Sequence, residues 1–291
     1  MRTANLNGRL VIVYDDGVVD VEKASDGVFP SDPQAVFDRW QQFRDWARSE
    51  VPAGYERAAF GERQLGPPAP RPRQVFAVAL NYADHVAESA ADKPAQPTIF
   101  TKYPTSVAGP HDTIALPSET VDWEIELVAV IGTQVHQVAA ADAWGHVAGL
   151  TVGQDLSERR IQLQGSPAQF SLGKSFPGFS PTGPVLVTPD EFEDPDDLPL
   201  GCAVNGETMQ ESRTSHMIFS VSEQIAWISG ICPLLPGDLV FTGTPSGVGG
   251  ARNPMRFLHP GEELRSWIEG IGELRNPLIA DHSYPHGPQT A

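Results

Sequence analysis

Val121-Asp122-Trp123-Glu124-Ile125-Glu126-Leu127-Val128-Ala129-Val130-Ile131-Gly132 is the stretch on which the fold and the chemistry of this 291-residue chain turn. Its β-branched enrichment predicts a strand, and in a strand alternate residues share a face. Glu124 and Glu126 therefore point the same way, while Trp123, Ile125 and Leu127 take the opposite face and supply the burial that makes the strand rigid. Two carboxylates on one face repel unless something positive lies between them, and a hard divalent cation is the simplest such partner. A lone Glu-x-Glu is most often the solvated face of an amphipathic strand. Here the sequence turns uniformly apolar beyond Leu127, which puts the two carboxylates at the entrance to a buried strand.

A third carboxylate is offered by Asp155, which ends the apolar run Leu150-Thr151-Val152-Gly153-Gln154 where a helical segment could begin. An N-cap aspartate is the plainer alternative. If helix does follow, Asp155, Arg159 and Gln162 fall at i, i+4 and i+7 on one face, bringing a ligand, a cation and an amide together. His85 and Glu88 are three apart, so one helical turn would let the carboxylate orient the imidazole; alone, the pair reads as a surface contact. Lys174 in Gly173-Lys174-Ser175 could be any surface lysine. The glycine-rich run Gly243 to Gly250 lacks the lysine of a phosphate-binding loop, so nucleotide binding is not supported.

Outward from these segments the chain is β-rich, with short strands set off by Gly and Pro turns. Asp16-Gly17 between two β-branched runs predicts a hairpin over 10–21. Ser31-Asp32-Pro33-Gln34 predicts a capped helix carrying Val36, Trp40, Phe43 and Ala47, and Ser220 with Glu223 predicts a second capping box. Gly66-Pro67-Pro68-Ala69-Pro70-Arg71-Pro72 favours a stiff connector. It divides the chain into a small N-terminal α+β domain over 1–70 (hairpin plus helix), a main body over 71–280 and a polar tail over 281–291.

Apolar residues make up 40% and charged residues 20%, the balance of a chain that folds. A formal charge of −17 argues against nucleic acid or an anionic membrane as partner, and requires a local Arg/Lys cluster or a bound cation if the substrate is an anion. Without a signal-like start or a spanning apolar run, the expected location is the cytoplasm. Cys202 and Cys232 read as buried free thiols.

Taken in order, these segments resemble the fumarylacetoacetate hydrolase family over about Val75 to Leu278. The resemblance rests on Asn81-Tyr82 with His85 and Glu88, Asp122 to Leu127, Gln154-Asp155 with Arg159, Gly173-Lys174-Ser175, Val204-Asn205-Gly206, and Pro236-Gly237-Asp238 through Gly249. It implies an α+β, β-rich fold, a mixed β-roll, in a homodimer that binds Mg²⁺ or Mn²⁺ and acts on small anionic 2-oxo acids. By that resemblance Glu124, Glu126 and Asp155 are the metal ligands and His85 and Glu88 the catalytic pair. Arg159, Gln162, Lys174 and Thr244 contact substrate, and Lys174 also shares in catalysis. The chain departs from the family pattern at Ala79-Leu80, where a glycine is common, and at Gln154, where asparagine is.

The expected reaction is hydrolysis of a carbon–carbon bond in a 2,4-dioxo acid such as an acylpyruvate, with His85 activating water. The same site would serve oxaloacetate decarboxylation, tautomerisation or isomerisation of an unsaturated dioxo acid, or dehydration of a sugar acid. A catalytically idle binding protein is the reading of a different class, and the presence of both ligands and an acid–base pair counts against it.

Overall fold

The computed structural model describes residues 1–49, 55, 57–281 and 283. Ile125–Ile131 lies inside an eleven-stranded sheet. Along its main path the neighbours are Gly17–Asp20, Arg9–Tyr14, Arg2–Leu6, Ser180–Val187, Val147–Gln154, Ile125–Ile131, Leu239–Phe241, Val75–Ala79 and Thr98–Thr101. Leu239–Phe241 runs parallel to Val75–Ala79 and antiparallel to Ile125–Ile131, so the sheet is mixed. A second, five-stranded sheet orders Glu207–Arg213, Pro199–Val204, Glu263–Ile268, Gly272–Ala280 and Ile114–Leu116. Helices are few and short, and the class is the α+β, sheet-rich one expected.

The central strand is apolar because both of its faces are covered. Trp123, Ile125, Leu127, Ala129 and Ile131 belong to a core shared with the second sheet, through Leu200, Cys202, Leu264 and Leu274. Val128 and Val130 face the other way, into a core built with Leu10, Ile12, Phe37, Trp40 and Phe43. Alternation thus holds along the strand even though its sequence does not alternate in polarity.

The hairpin forms as Arg9–Tyr14 against Gly17–Asp20, turning at Asp15-Asp16. The helix after Ser31 starts as a 3-10 turn at Ala35 and becomes α-helical over Trp40–Ser49. Its expected cap is corrected. Asp32, not Ser31, accepts from the Gln34 N–H, and Gln34 spends its side-chain oxygen on the Arg71 N–H instead of closing a capping box. At Val221–Ser229 the capping box of Ser220 and Glu223 is present in full.

Among the described residues of 1–70, strands join the large sheet and apolar side chains join the second core directly. Arg2–Leu6 pairs with Ser180–Val187, and Leu65–Gly66, where the proline connector begins, pairs back onto Arg2–Leu6. The polar tail lies outside the described residues apart from Asp281 and Ser283. Both cysteines are free, Cys202 buried and Cys232 only half-buried, which corrects the expectation for the second. No helix of the described residues is long and apolar enough to cross a membrane.

Candidate active site

The expected single strand over 121–132 is broken at Trp123-Glu124. Val121–Asp122 pairs with Ser157–Glu158, and Ile125–Ile131 pairs with Val147–Gln154. Across the break two amide side chains replace the ladder: the Glu124 N–H donates to Gln154 Oε1 at 2.8 Å and the Ile125 N–H to Gln210 Oε1 at 3.0 Å. Gln154 also donates from Nε2 to Ser266 at 2.9 Å, so the departure from asparagine supplies a side chain that spans from the break to the second sheet. The Asp155 N–H donates to the Glu124 carbonyl at 2.9 Å, which locks the two acidic residues together.

Carboxylate oxygens of Glu124, Glu126 and Asp155 lie within 4.8 Å of one another, and all three residues are buried. Asp155 is not a helix cap. The helix is a single turn, Arg159–Gln162, capped by Glu158, whose carboxylate accepts from the Ile161 N–H. Arg159 and Gln162 still meet, with Nη1 donating to Oε1 at 2.8 Å. Arg159 also pairs by charge with Asp122 and Glu124, each at 2.7 Å.

Lys174 is no surface lysine. It is 2% exposed, and its Nζ donates to Glu124 Oε2 at 2.8 Å, Asp155 Oδ2 at 2.7 Å and Ser157 Oγ at 2.8 Å. Gly173 lets this happen: a Cβ there would stand 2.5 Å from the Gln162 backbone nitrogen. A second buried lysine went unread in the sequence. Lys102, just past the strand Thr98–Thr101, donates to Asp155 Oδ1 and, at 2.9 Å, to the Phe179 carbonyl. No local sequence signal marked it.

Four buried carboxylates, Asp122, Glu124, Glu126 and Asp155, thus share three cations, Lys102, Arg159 and Lys174. The shortfall falls on Glu126, which forms no ion pair among the described residues and accepts from the Gly243 N–H at 2.7 Å. Burial, then Asp155 and Glu124 beside it, push its carboxyl well above the usual range. Burial acts in the same sense on Glu124, but Lys174 and Arg159 outweigh it and hold that carboxyl low. Burial likewise lowers Lys102, whereas at Lys174 it is outweighed by Asp155 and Glu124, which raise it. A carboxylate set one charge short, with convergent oxygens, fits a hard divalent cation; the residues present could hold Mg²⁺ or Mn²⁺.

His85 and Glu88 sit on the helix Ala83–Glu88, and His85 Nδ1 is 2.7 Å from Glu88 Oε1. Glu88 Oε2 accepts from the Gly247 N–H at 2.8 Å, so both its oxygens are engaged and Nε2 is the imidazole nitrogen left for a substrate. Asp84 accepts from Ser246 at 2.8 Å, pinning the helix at a second point. The glycine-rich run therefore has a role that is not phosphate binding. Its Gly243, Gly247 and Gly250 N–H groups each go to a carboxylate of the site, those of Glu126, Glu88 and Asp122. Gly243 has φ +97°, and a Cβ there would lie 2.6 Å from Asn81 Cβ.

One cavity of about 570 Å³ is lined by His85, Glu88, Glu124, Arg159, Gln162, Lys174 and Thr244 together. Glu126 and Asp155 stand behind it, against Lys174 and Gly243. The Thr244 hydroxyl is already committed, donating to the Ile125 carbonyl and accepting from Gln210, both at 2.9 Å. Asn81 serves the scaffold: its side chain bonds Phe219 and the Thr242 carbonyl. Val204-Asn205-Gly206 is a tight turn between two strands of the second sheet, with both central residues at positive φ.

Comparison with known proteins points the same way. Residues 74–279 match the family described as fumarylacetoacetate (FAA) hydrolase C-terminal. The oxaloacetate tautomerase FAHD2A, mitochondrial, of Bos taurus is 45% identical over 214 residues, covering 73% of this chain and 68% of that one. That relative's name places it in mitochondria, in contrast with the cytoplasmic location expected for this chain. A Mycobacterium smegmatis structure provisionally labelled HpcE superposes with a TM-score of 0.91 at 54% identity, covering 96% of this chain and 99% of that one. Fumarylacetoacetate hydrolase from Exiguobacterium antarcticum superposes at 0.80 with 31% identity, covering 97% of this chain and all of that one.

Proposed function

Since the chain belongs to the fumarylacetoacetate hydrolase family, we propose that it is a divalent-metal-dependent enzyme interconverting the keto and enol forms of a 2-oxo acid. The observation that carries this is the single cavity shared by an oriented imidazole and the charged end of a three-carboxylate cluster. The name of the Bos taurus relative favours tautomerisation over the carbon–carbon hydrolysis expected from the sequence.

Mg²⁺ or Mn²⁺ held by Glu124, Glu126 and Asp155 would polarise the 2-oxo group and stabilise the negative charge that develops on its oxygen. The chain supplies the rest. Arg159 and Lys174 offset the charge of the substrate carboxylate in a protein that is acidic overall. His85, kept in one tautomer and orientation by Glu88, removes a proton from C3. The C3–H bond breaks, its electron pair forms the C2–C3 double bond, and a proton returned to the oxygen completes the enol. Reversal runs through the same groups, so no water or oxidant is consumed.

Hydrolysis of a 2,4-dioxo acid is the second reading, because the same pair suits activation of water and the Exiguobacterium antarcticum structure is named as a hydrolase. The test is to incubate the purified chain and Mg²⁺ with oxaloacetate, other 2-oxo acids and acylpyruvates, following enol absorbance and identifying products. Accelerated interconversion with the carbon skeleton intact supports tautomerisation. Cleavage into two acids would replace it with the second reading.

A further inference from the structure

We propose that the 2-oxo acid this site serves carries an uncharged apolar group, of the size of a phenyl ring or a branched alkyl chain, where oxaloacetate carries its second carboxylate. The proposal rests on the metal-dependent 2-oxo acid reading and adds the identity of the far end. Beyond the charged residues, the cavity wall includes half-buried Leu80, Phe100, Phe170 and Phe257 and, exposed, Leu163 and Met255. Phe100 and Phe170 meet edge to face, with centroids 5.8 Å apart. Lys174 Nζ lies 5.2 Å from the Phe100 centroid, so the apolar wall begins where the charged end stops.

Among the described residues the only Arg or Lys side chains lining this cavity are Arg159 and Lys174, both at the end assigned to the carboxylate of the 2-oxo acid group itself. A second carboxylate at the far end would shed part of its water against apolar carbon without gaining a cation, which costs free energy. A phenyl or isobutyl group would bury its surface favourably against the same wall. The cavity is also of a size that holds ligands much larger than a four-carbon acid.

Leu80 adds an independent sign. It has φ +56°, the left-handed conformation that glycine adopts freely and a branched side chain resists. Strain of this kind persists where the side chain has work to do. Leu80 is half-buried and lines the cavity.

The full chain, loaded with Mg²⁺, is assayed for kcat/KM on phenylpyruvate and 4-methyl-2-oxopentanoate against oxaloacetate and 2-oxoglutarate. The monocarboxylates are expected to lead by tenfold or more. Leu80→Gly relieves the backbone, so it should fold at least as stably as the parent while losing most of that lead through KM. Phe170→Arg places a cation on the wall and should shift preference toward the dicarboxylates. Calorimetry of the same acids on the Mn²⁺-loaded chain should give the same order in affinity. Preference for the dicarboxylates, or a ratio unmoved in both variants, overturns this inference and leaves the 2-oxo acid reading standing. Neither binding nor turnover of any of these acids overturns that reading and the inference with it.

Discussion

At the scale of single residues the site is a charge balance, and each side chain has a separable consequence. His85→Ala removes the base but touches none of the three carboxylates that would hold the ion, so Mn²⁺ and oxalate binding should survive while kcat falls about a hundredfold or more. Glu126→Ala should abolish divalent-cation binding in a calorimetric titration, because Glu126 is the carboxylate left without a cation of its own. Lys102→Met breaks a fully buried ion pair and should cost about 3 kcal/mol or more in chemical denaturation. The three clustered carboxylates were legible because strand alternation and a polar residue at the end of an apolar run are local signals. Lys102 was not. Its partner Asp155 is 53 positions away, and a lone lysine after a strand carries no mark of its burial. Asp122 and Gln210 were missed as working parts for the same reason: an ion pair or an amide that patches a broken strand exists only once distant segments are folded together.

At the scale of elements, the break at Trp123-Glu124 and the pinned helix Ala83–Glu88 decide where the chemistry sits. A strand continuous through 124 would pair that residue in the ladder; the break lets side chains position it instead. Sequence patterning read one strand here, since β-propensity does not register that Gln154 and Gln210 can replace backbone partners. It also overextended the helix after Asp155, where the spacing of Arg159 and Gln162 suited a helix that is only one turn long. Capping at Ser220 was read in full, because a capping box is a local hydrogen-bond pattern. Two variants test this scale. Gly243→Ala forces a Cβ against Asn81 at positive φ and should lower stability by more than about 1 kcal/mol while weakening the hold on Glu126. Ser220→Ala removes a cap remote from the cavity and should cost about 1 kcal/mol in thermal or denaturant unfolding with catalysis unchanged.

For the whole molecule, two cores on either side of one sheet fix the strand Ile125–Ile131 and with it Glu126. Leu10, Ile12, Phe37, Trp40 and Phe43, all before the proline connector, supply one side of one of those cores. A chain beginning at residue 71 should therefore lose the cooperative unfolding transition of the full chain and should not survive as an independent domain. Sheet-rich class was readable from strand and turn spacing; the joining of the N-terminal strands to Ser180–Val187 was not, because a pairing across so many residues leaves no local trace. The central claim is that this fold holds a divalent cation and an oriented imidazole around the enolisable end of a 2-oxo acid. Deuterium exchange at C3 of oxaloacetate, 2-oxoglutarate and 4-methyl-2-oxopentanoate, followed by proton NMR in D₂O, tests it most directly. Rapid exchange of at least one of them that requires Mg²⁺, stops with EDTA and is lost in His85→Ala is the predicted result; exchange of all three at the buffer rate with Mg²⁺ bound would contradict it.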